Sequence, residues 1–482
     1  MLKNFNKPII NKREWQSMTQ YPYSATAAVC IIAPEDAYCD YALVVGSATT
    51  AAIYDYNNDG YELATNPALA GTFGAGTCGV YSPWGIPYIT TGGSGNTLTV
   101  NSVAFNITGL IIGTTLVMTS GTQVGFTTTV TGVLTDGGNG MITIYLKDTL
   151  PGTVASGDTF KTLSGSYYVV NGGTKVANNF KAFDLGTRNW TAGLNNTALP
   201  NLTLESAMTT MYKHGEYMAE GEVSGGTSTT MISGRTTTTE TDQAGAVAPN
   251  WTANQWKGYQ VTITKGLFRQ TRVITANTSI ELTVSPAFTF TPDNTCTYKI
   301  ESDEDSIYLI SSAVTLYKYS ISTNLWAVLA PTVARAGTPG GGSTLDSPTN
   351  TKRFEWSDEN NIRNGRYLYS LRGGGSTLID RYDIVANKWE VVNTKTIETF
   401  TTGTSSVMVH GDWYIKSSAT GHRLFRYNVV DNVMYPFSTI AISEGTALSG
   451  QKIHAKRIKD TDLIFLYSIA SSQTAVYRTL LY

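Results

Sequence analysis

The chain is short of charge. Asp, Glu, Lys and Arg make up 15% of its 482 residues, and the formal net charge is −2. A balance this near neutral gives no electrostatic grip on nucleic acid or on an anionic bilayer, so neither is an expected partner. Cysteine is scarce as well. Cys30, Cys39, Cys78 and Cys296 form no CxxC pair, which removes the usual zinc spacings and leaves buried free thiols as the expectation. The four histidines, His214, His410, His422 and His454, share no metal-ligand spacing, so copper-oxidase chemistry has no basis here. No apolar run approaches the length of a membrane span. The opening MLKNFNKPIINKREW has no apolar core of signal-peptide length, so export by a cleaved signal is not expected. The Asn-x-Ser/Thr triplets at Asn106, Asn189, Asn195, Asn201, Asn250 and Asn277 carry no weight without export. Nucleophile elbow, phosphate loop, sialidase-type turn and Ser/His/Asp pattern are all missing.

What is present is strand-forming material. Gly, Thr, Ser and Tyr abound, with 28 Tyr and 46 Gly, and Tyr and Thr favour strands. One phrase recurs from end to end. It is clearest as YDIVANKW, where Tyr382-Asp383 is followed at a spacing of seven by Trp389. Phe183-Asp184 leads in the same way to Trp190, Tyr319-Ser320 to Trp326, Tyr427-Asn428 to Met434 and Tyr54-Asp55 to Tyr61. Each copy reads as strand, tight Asn- or Gly-containing turn, strand. A further β-rich hairpin lies upstream of most copies, so the unit is four strands, which is the content of a propeller blade. Trp190, Trp326 and Trp389 hold a fixed blade position, which assigns them to packing between blades. The order strand, double glycine, Tyr-Asp, Asn-x-Trp resembles the kelch repeat. The double glycine is kept at Gly172-Gly173 and Gly373-Gly374.

The expected fold is all-β: a kelch-like propeller of about six blades with two inserted small antiparallel β domains. The propeller is discontinuous, over 1–87, 166–218 and 303–482, with inserts at 88–165 and 219–302. The last blade runs out of chain before its outer strand, and the segment around Trp15 is expected to supply that strand and close the ring. The first strand of the third blade is read as AMTTMYKHGEYM (207–218). GGTSTTMISGRTTTTETDQAG, at 225–245, reads as an extended low-complexity loop. GTPGGGSTLDSPTNTK, at 337–352, reads as a Gly/Pro/Ser-rich loop. The two inserts look alike, Gly113-TTLVMTS-Gly121 matching Gly258-YQVTITK-Gly266. Both enter between the first and second strands of consecutive blades, so both stand on one face, the expected contact face.

Two chemical candidates remain. Asp55, Asn57 and Asp59 with Gly60 fit the start of a calcium loop, but Asn66 stands where the closing Glu belongs, and a repeat turn wants the same residues. Calcium is therefore the sole cofactor considered, and none is the expectation. Glu301, Asp303, Glu304 and Asp305 in ESDEDS read as a solvated hairpin approach rather than a glycosidase pair.

The second insert carries a further likeness. GLFRQTRVITANTSIELTVSPAFTFTPDNTCTYKI, at 266–300, is similar to a small β domain of phage tail, fibre and head-associated proteins. There, "G-x-x-R-x-I-x-x-N-T" and a "P-D-x-T-x-Y-x-I" ending recur. With the kelch-like repeat, the whole resembles a structural virion protein of a tailed bacteriophage. The resemblance implies no catalytic residues. It implies a non-enzymatic assembly role in head, neck, tail or baseplate, with other virion proteins and copies of itself as partners. The alternative is a receptor-binding protein that binds or depolymerises host-surface glycan. A cellular kelch scaffold is a third reading.

Overall fold

The computed structural model describes residues 16–19, 30–32, 40–46, 51–63, 73–74, 76–83, 85–101, 110–135, 140–176, 179–191, 194–203, 206–211, 217–233, 249–257, 259–302, 304–311, 314–347, 366–409, 412–417, 423–429, 431–439, 452–458, 461, 463–469 and 476–481. These residues form strands and turns, with no helix among them. Six small antiparallel sheets make a six-bladed β-propeller.

Blade one comprises Cys30–Ile32, Tyr41–Val45, Ala51–Asp55 and Gly60–Leu63. Blade two comprises Cys78–Ser82, Ser166–Val170, Phe180–Asp184 and Asn189–Thr191. Blade three comprises Ala207–Met211, Ser306–Ile310, Leu316–Ser320 and Leu325–Leu329. Blade four has three strands, Tyr367–Leu371, Ser376–Asp383 and Lys388–Phe400. Blade five comprises Ser405–Val409, Asp412–Lys416, Arg423–Asn428 and Val433–Thr439.

Blade six takes Lys452–Arg457, Ile464–Ile469 and Val476–Leu480 from the C-terminal end and Gln16–Met18 from the other. Gln16 pairs with Arg478, Ser17 with Tyr477 and Met18 with Val476, all antiparallel. The outer strand thus closes the ring across the whole length of the chain. Trp15 itself lies outside the described residues.

A blade is covered on both faces, so its strands lose the usual alternation of apolar and polar residues. SYYVV, at Ser166–Val170, is buried throughout. Tyr167 and Val169 pack with Leu43, Ile53 and Phe183 towards blade one. Tyr168 and Val170 pack with Ile307, Leu309 and Tyr319 towards blade three. Core strands here read as continuous apolar runs because two neighbours share each sheet.

Two local expectations are corrected, and a third, the Gly-rich loop, gains a packing role. AMTTM ends the blade-three strand at Met211, and Tyr217-Met218 open the inserted domain's first strand, Tyr217–Gly226. Of the stretch 225–245 read as a loop, 225–233 is the end of that strand, a turn and the strand Thr230–Ser233, and 234–245 lies outside the described residues. Met231 and Ser233 alternate inward there, a period-two pattern that uniform Thr/Ser composition hides. The end of the Gly-rich stretch, Leu345 to Ser347, is buried and runs beside Tyr367–Leu371 as blade four's innermost segment. Asp346 and Tyr369 exchange backbone bonds of 2.9 Å there.

The seam between blades six and one holds a buried, unpaired imidazole. His454 stacks on Tyr467 at 5.1 Å and meets Tyr56 edge-on at 5.8 Å. Neither ring nitrogen has a hydrogen-bond partner. Burial holds it neutral, with its pKa pushed from 6.5 down to about 3. The unfolded chain binds this proton between those values and the folded chain does not. The stability that neutral His454 contributes is therefore full above about pH 6.5 and falls as pH drops towards 3. His454→Phe keeps a stacked ring without titration. Between pH 4 and 6, unfolding free energy should fall more steeply in the wild type, by up to about 1.4 kcal/mol per pH unit. Parallel slopes in urea melts would remove His454 from the seam's acid response.

Candidate functional site

Both inserts are closed six-stranded barrels. The first uses Tyr88–Ser94, Thr97–Asn101, Thr115–Met118, Thr127–Thr135, Met141–Leu146 and Thr159–Thr162. The second uses Tyr217–Gly226, Thr230–Ser233, Gln260–Lys265, Phe268–Asn277, Glu281–Ser285 and Thr297–Glu301. In each the strands close in the order first, second, fifth, fourth, third, sixth. They share two bulges, one in the first strand at Thr90/Gly92 and Val223/Gly225 and one in the fourth at Val130/Gly132 and Ile274/Ala276. A bulge fixes twist and register, so two at matching points mark one barrel design used twice. Each barrel has its own apolar core.

Barrel one leaves from the end of Cys78–Ser82, barrel two from the end of Ala207–Met211. These first strands are neighbours, and Thr210 near the end of one donates to the Tyr81 carbonyl near the end of the other (3.0 Å). The two barrels therefore rise from one face of the ring.

The same face carries the repeat turns, and their chemistry explains the recurring phrase. The Asx residue after the aromatic caps the turn. Asp55 accepts from Asn57 N at 2.8 Å, Asp184 from Gly186 N and Thr187 N at 2.8 Å, Asp383 from Ala386 N at 3.0 Å and Asn428 from Asp431 N at 3.0 Å. Five residues after the aromatic, the backbone turns left-handed, at Asp59, Arg188, Asn324, Asn387 and Asn432, a conformation that Asn and Asp tolerate well. The tyrosine hydroxyl donates to that residue's side chain: Tyr54 to Asp59 (2.6 Å), Tyr319 to Asn324 (2.9 Å), Tyr382 to Asn387 (2.6 Å) and Tyr427 to Asn432. Two residues on, the second aromatic or Met434 stands directly opposite the first. Phe183 has no hydroxyl, and its turn carries Arg188, whose guanidinium lies 4.4 Å from the Tyr41 ring. The Tyr-to-Asn bond could have been read from that covariation, because the one copy with Phe is the one without Asn or Asp five residues on.

The residues considered for calcium sit in the first of these turns. Asp55 caps Asn57 N and Asn58 N and accepts from the Asn58 amide (2.7 Å). Asp59 accepts from the Tyr54 hydroxyl and from Thr19 N at 3.0 Å, which ties the turn to the ring-closing strand. Among the described residues no group of three or more His, Cys, Asp or Glu is placed to hold a metal ion.

Polar junctions seat the barrels. Asp184 is fully buried and accepts from Thr162 at the end of barrel one (3.1 Å) and from Ser166 of its own blade (3.3 Å). Burial raises its pKa against these donors. Ile111 N donates to the Gly186 carbonyl in the same turn (3.0 Å). Barrel two reaches the next blade. Arg366 pairs with Glu220 of the barrel and with Asp383 of the blade-four turn (3.1 Å). Of the acidic run, Glu301, Glu304 and Asp305 belong to these joints and not to a solvated approach, and Asp303 lies outside the described residues. Glu301 and Asp305 are buried, Asp305 bonding the Ser82 hydroxyl, while Glu304 accepts from Ser320 at 2.5 Å and from Ser322 N at 2.6 Å. Carboxylates enter such a joint when serine hydroxyls and backbone N–H groups satisfy them, which the sequence spacing does not display.

The remote hairpin of each barrel exposes apolar side chains among polar ones. Gln260 pairs with Glu301 and Thr264 with Thr297, so the hairpin after Lys265 lies at the end remote from the propeller. Its tip exposes Leu267 fully and Phe268 by 74%, beside the Lys265–Asp293 ion pair. The corresponding hairpin of barrel one exposes Val124.

No family model matches the chain, and no curated protein matches it in sequence. Solved structures similar to it include one described as "Crystal Structure of Mitotic Checkpoint Complex" (7% identity, TM-score 0.36, covering 100% of this chain and 99% of that one). Others are YjhT (8%, 0.37, 95% and 95%) and Sqt1 of Saccharomyces cerevisiae (10%, 0.31, 96% and 99%). At TM-scores this low the likeness carries no argument of its own.

Proposed function

We propose that the protein is a non-enzymatic structural component of a tailed-phage particle, associated with head, neck, tail or baseplate, and that its propeller is a rigid platform for protein contacts. One observation carries the platform half of this reading: the same barrel is built twice, from adjacent blades, on one face, with apolar residues at both remote hairpin tips. Apolar side chains left in water at the outer end of a rigid arm are what a partner surface covers. The particle half is supported by the sequence of the second barrel, 266–300, and its likeness to phage tail, fibre and head-associated domains. The partners are other virion proteins and copies of the chain itself.

The test is quantitative mass spectrometry of purified particles beside light scattering of the purified chain. A fixed copy number per particle is the expected result. Absence from particles that infect normally would end the proposal. Release of oligosaccharide from host-surface polysaccharide would replace it with a depolymerase.

A further inference from the structure

Five seams of the ring are crossed by the chain running from one blade into the next. The seam between blades six and one is held instead by the antiparallel pairing of Gln16–Met18 with Val476–Leu480 and by a shared cluster that includes Val44, Tyr54, Tyr56, Phe465 and Tyr467. Into this seam the inner strand of blade six, Lys452–Arg457, sends two side chains. His454 is 5% exposed, lies against Tyr467 and Tyr56, and has no hydrogen-bond partner at either ring nitrogen. Lys456 is buried beside it, 5.8 Å from the Tyr56 ring, and reaches Asp40 at 3.4 Å. A proton on this imidazole would be a charge without an acceptor, next to a cation already out of water. With the blades apart, both nitrogens meet water. Protonation and closure therefore exclude one another.

We propose that the ring is an acid-opened clasp: as pH falls, blades six and one part at this seam and Gln16–Met18 is released, while the other five seams stay shut. The face laid bare is aromatic, formed by Tyr54, Tyr56, Phe465 and Tyr467. Among the described residues, the titratable and charged groups around His454 are Lys456 on its own strand, Tyr467 and Arg478 on the two strands outward, and Tyr54, Tyr56, Tyr61, Asp40 and Asp59 from blade one. Neither carboxylate bonds the imidazole: Asp40 faces Lys456, and Asp59 accepts from the Tyr54 hydroxyl. Burial alone pushes the His454 pKa from 6.5 to about 3. The closed ring therefore refuses a proton that the open ring takes, and between those values each pH unit makes opening about tenfold more frequent. Titration of Asp40 acts through Lys456 and is untouched by a change at His454, so a variant separates the two.

Hydrogen exchange and hydroxyl-radical labelling of the full chain, from about pH 7 to about pH 4.5, test it. Between about pH 6.5 and 4.5, protection of the ladder amides of Gln16–Met18 and Val476–Leu480 should fall about a hundredfold after correction for intrinsic exchange, and Tyr56 and Tyr467 should label faster. Amides of Ser166–Val170 and Ser306–Ile310, in blades two and three, should keep their protection. His454→Phe keeps a ring and loses the titration, and should hold the fall below about tenfold. If it folds poorly by circular dichroism, His454→Leu takes its place. Ladder protection that does not change with pH, or that falls as far in the variant, overturns the proposal. So does loss of protection in every blade at once, because acid then unfolds the whole chain and does not open one seam.

Discussion

Asp380→Ala is expected to destabilise the protein by about 3–5 kcal/mol, because it strands a buried cation. Arg335 and Asp380 are both almost fully buried. The Arg335 Nε donates to Asp380 Oδ2 (2.7 Å), and Arg372 donates to Oδ1 (2.6 Å). Arg335 also donates to the Ser370 hydroxyl (2.9 Å), and its guanidinium lies 5.2 Å from the Trp389 ring. This cluster fastens the 333–347 segment onto blade four, where a regular inner strand is missing. Arg372 sits nearer the surface and can turn to water when the carboxylate goes. Arg335 cannot, and burial already works against its charge. Urea denaturation reads the effect. The double variant Arg335→Met, Asp380→Leu should recover most of the loss, since apolar groups of similar volume remove the stranded charge. A single variant that loses less than about 1 kcal/mol would show that water reaches Arg335.

The second large effect is expected on removing residues 1–19, judged against a reference lacking only 1–14. Three ladder pairs disappear with Gln16–Met18. The Arg478 Nε bond to Gln16 (3.1 Å) and the Thr19 N bond to Asp59 go as well, along with the packing of Met18 against the Tyr54 and Tyr467 cluster. At about 1 kcal/mol for each net hydrogen bond and a similar amount for the methionine, the loss is roughly 5–7 kcal/mol. Val476–Leu480 would also become an open edge, so the shortened chain should associate on warming. If both truncations melt together, ring closure does not contribute to stability.

The sequence carried the ring more fully than it carried the joints. The seven-residue spacing from Tyr382 to Trp389 survives translation into structure because the two aromatics are direct cross-strand partners, and a local constraint of that kind repeats visibly. The outer strand at Gln16–Met18 was legible because the last blade ran out of chain. Asp184, Asp305 and Arg335 were not legible. The bonds of Asp184 to Thr162 of barrel one, of Asp305 to Ser82 of the neighbouring blade and of Arg335 to Asp380 join segments that no fixed spacing relates, and a spacing rule cannot see them. His454 was hidden for a related reason. A lone histidine in KIHAKR reads as polar, and only the arrival of Tyr56 from the opposite end of the chain makes its site dry. The strand at 230–233 was missed because the run around it is Thr- and Ser-rich, and of its two inward residues, Met231 and Ser233, only the first is apolar.

The pairing of Gln16 with Arg478 also sets a clock on synthesis. At about 5–20 residues per second, roughly half a minute or more separates the emergence of the first outer strand from that of its partner. Both barrels and the middle blades emerge in that interval, and their contacts can form without it. A ribosome that stops short anywhere before the last strand releases a chain whose first strand has nothing to pair with. The ring joint is therefore a late contact: until Val476–Leu480 has emerged, Gln16–Met18 has no strand to pair with and the ring keeps an open edge.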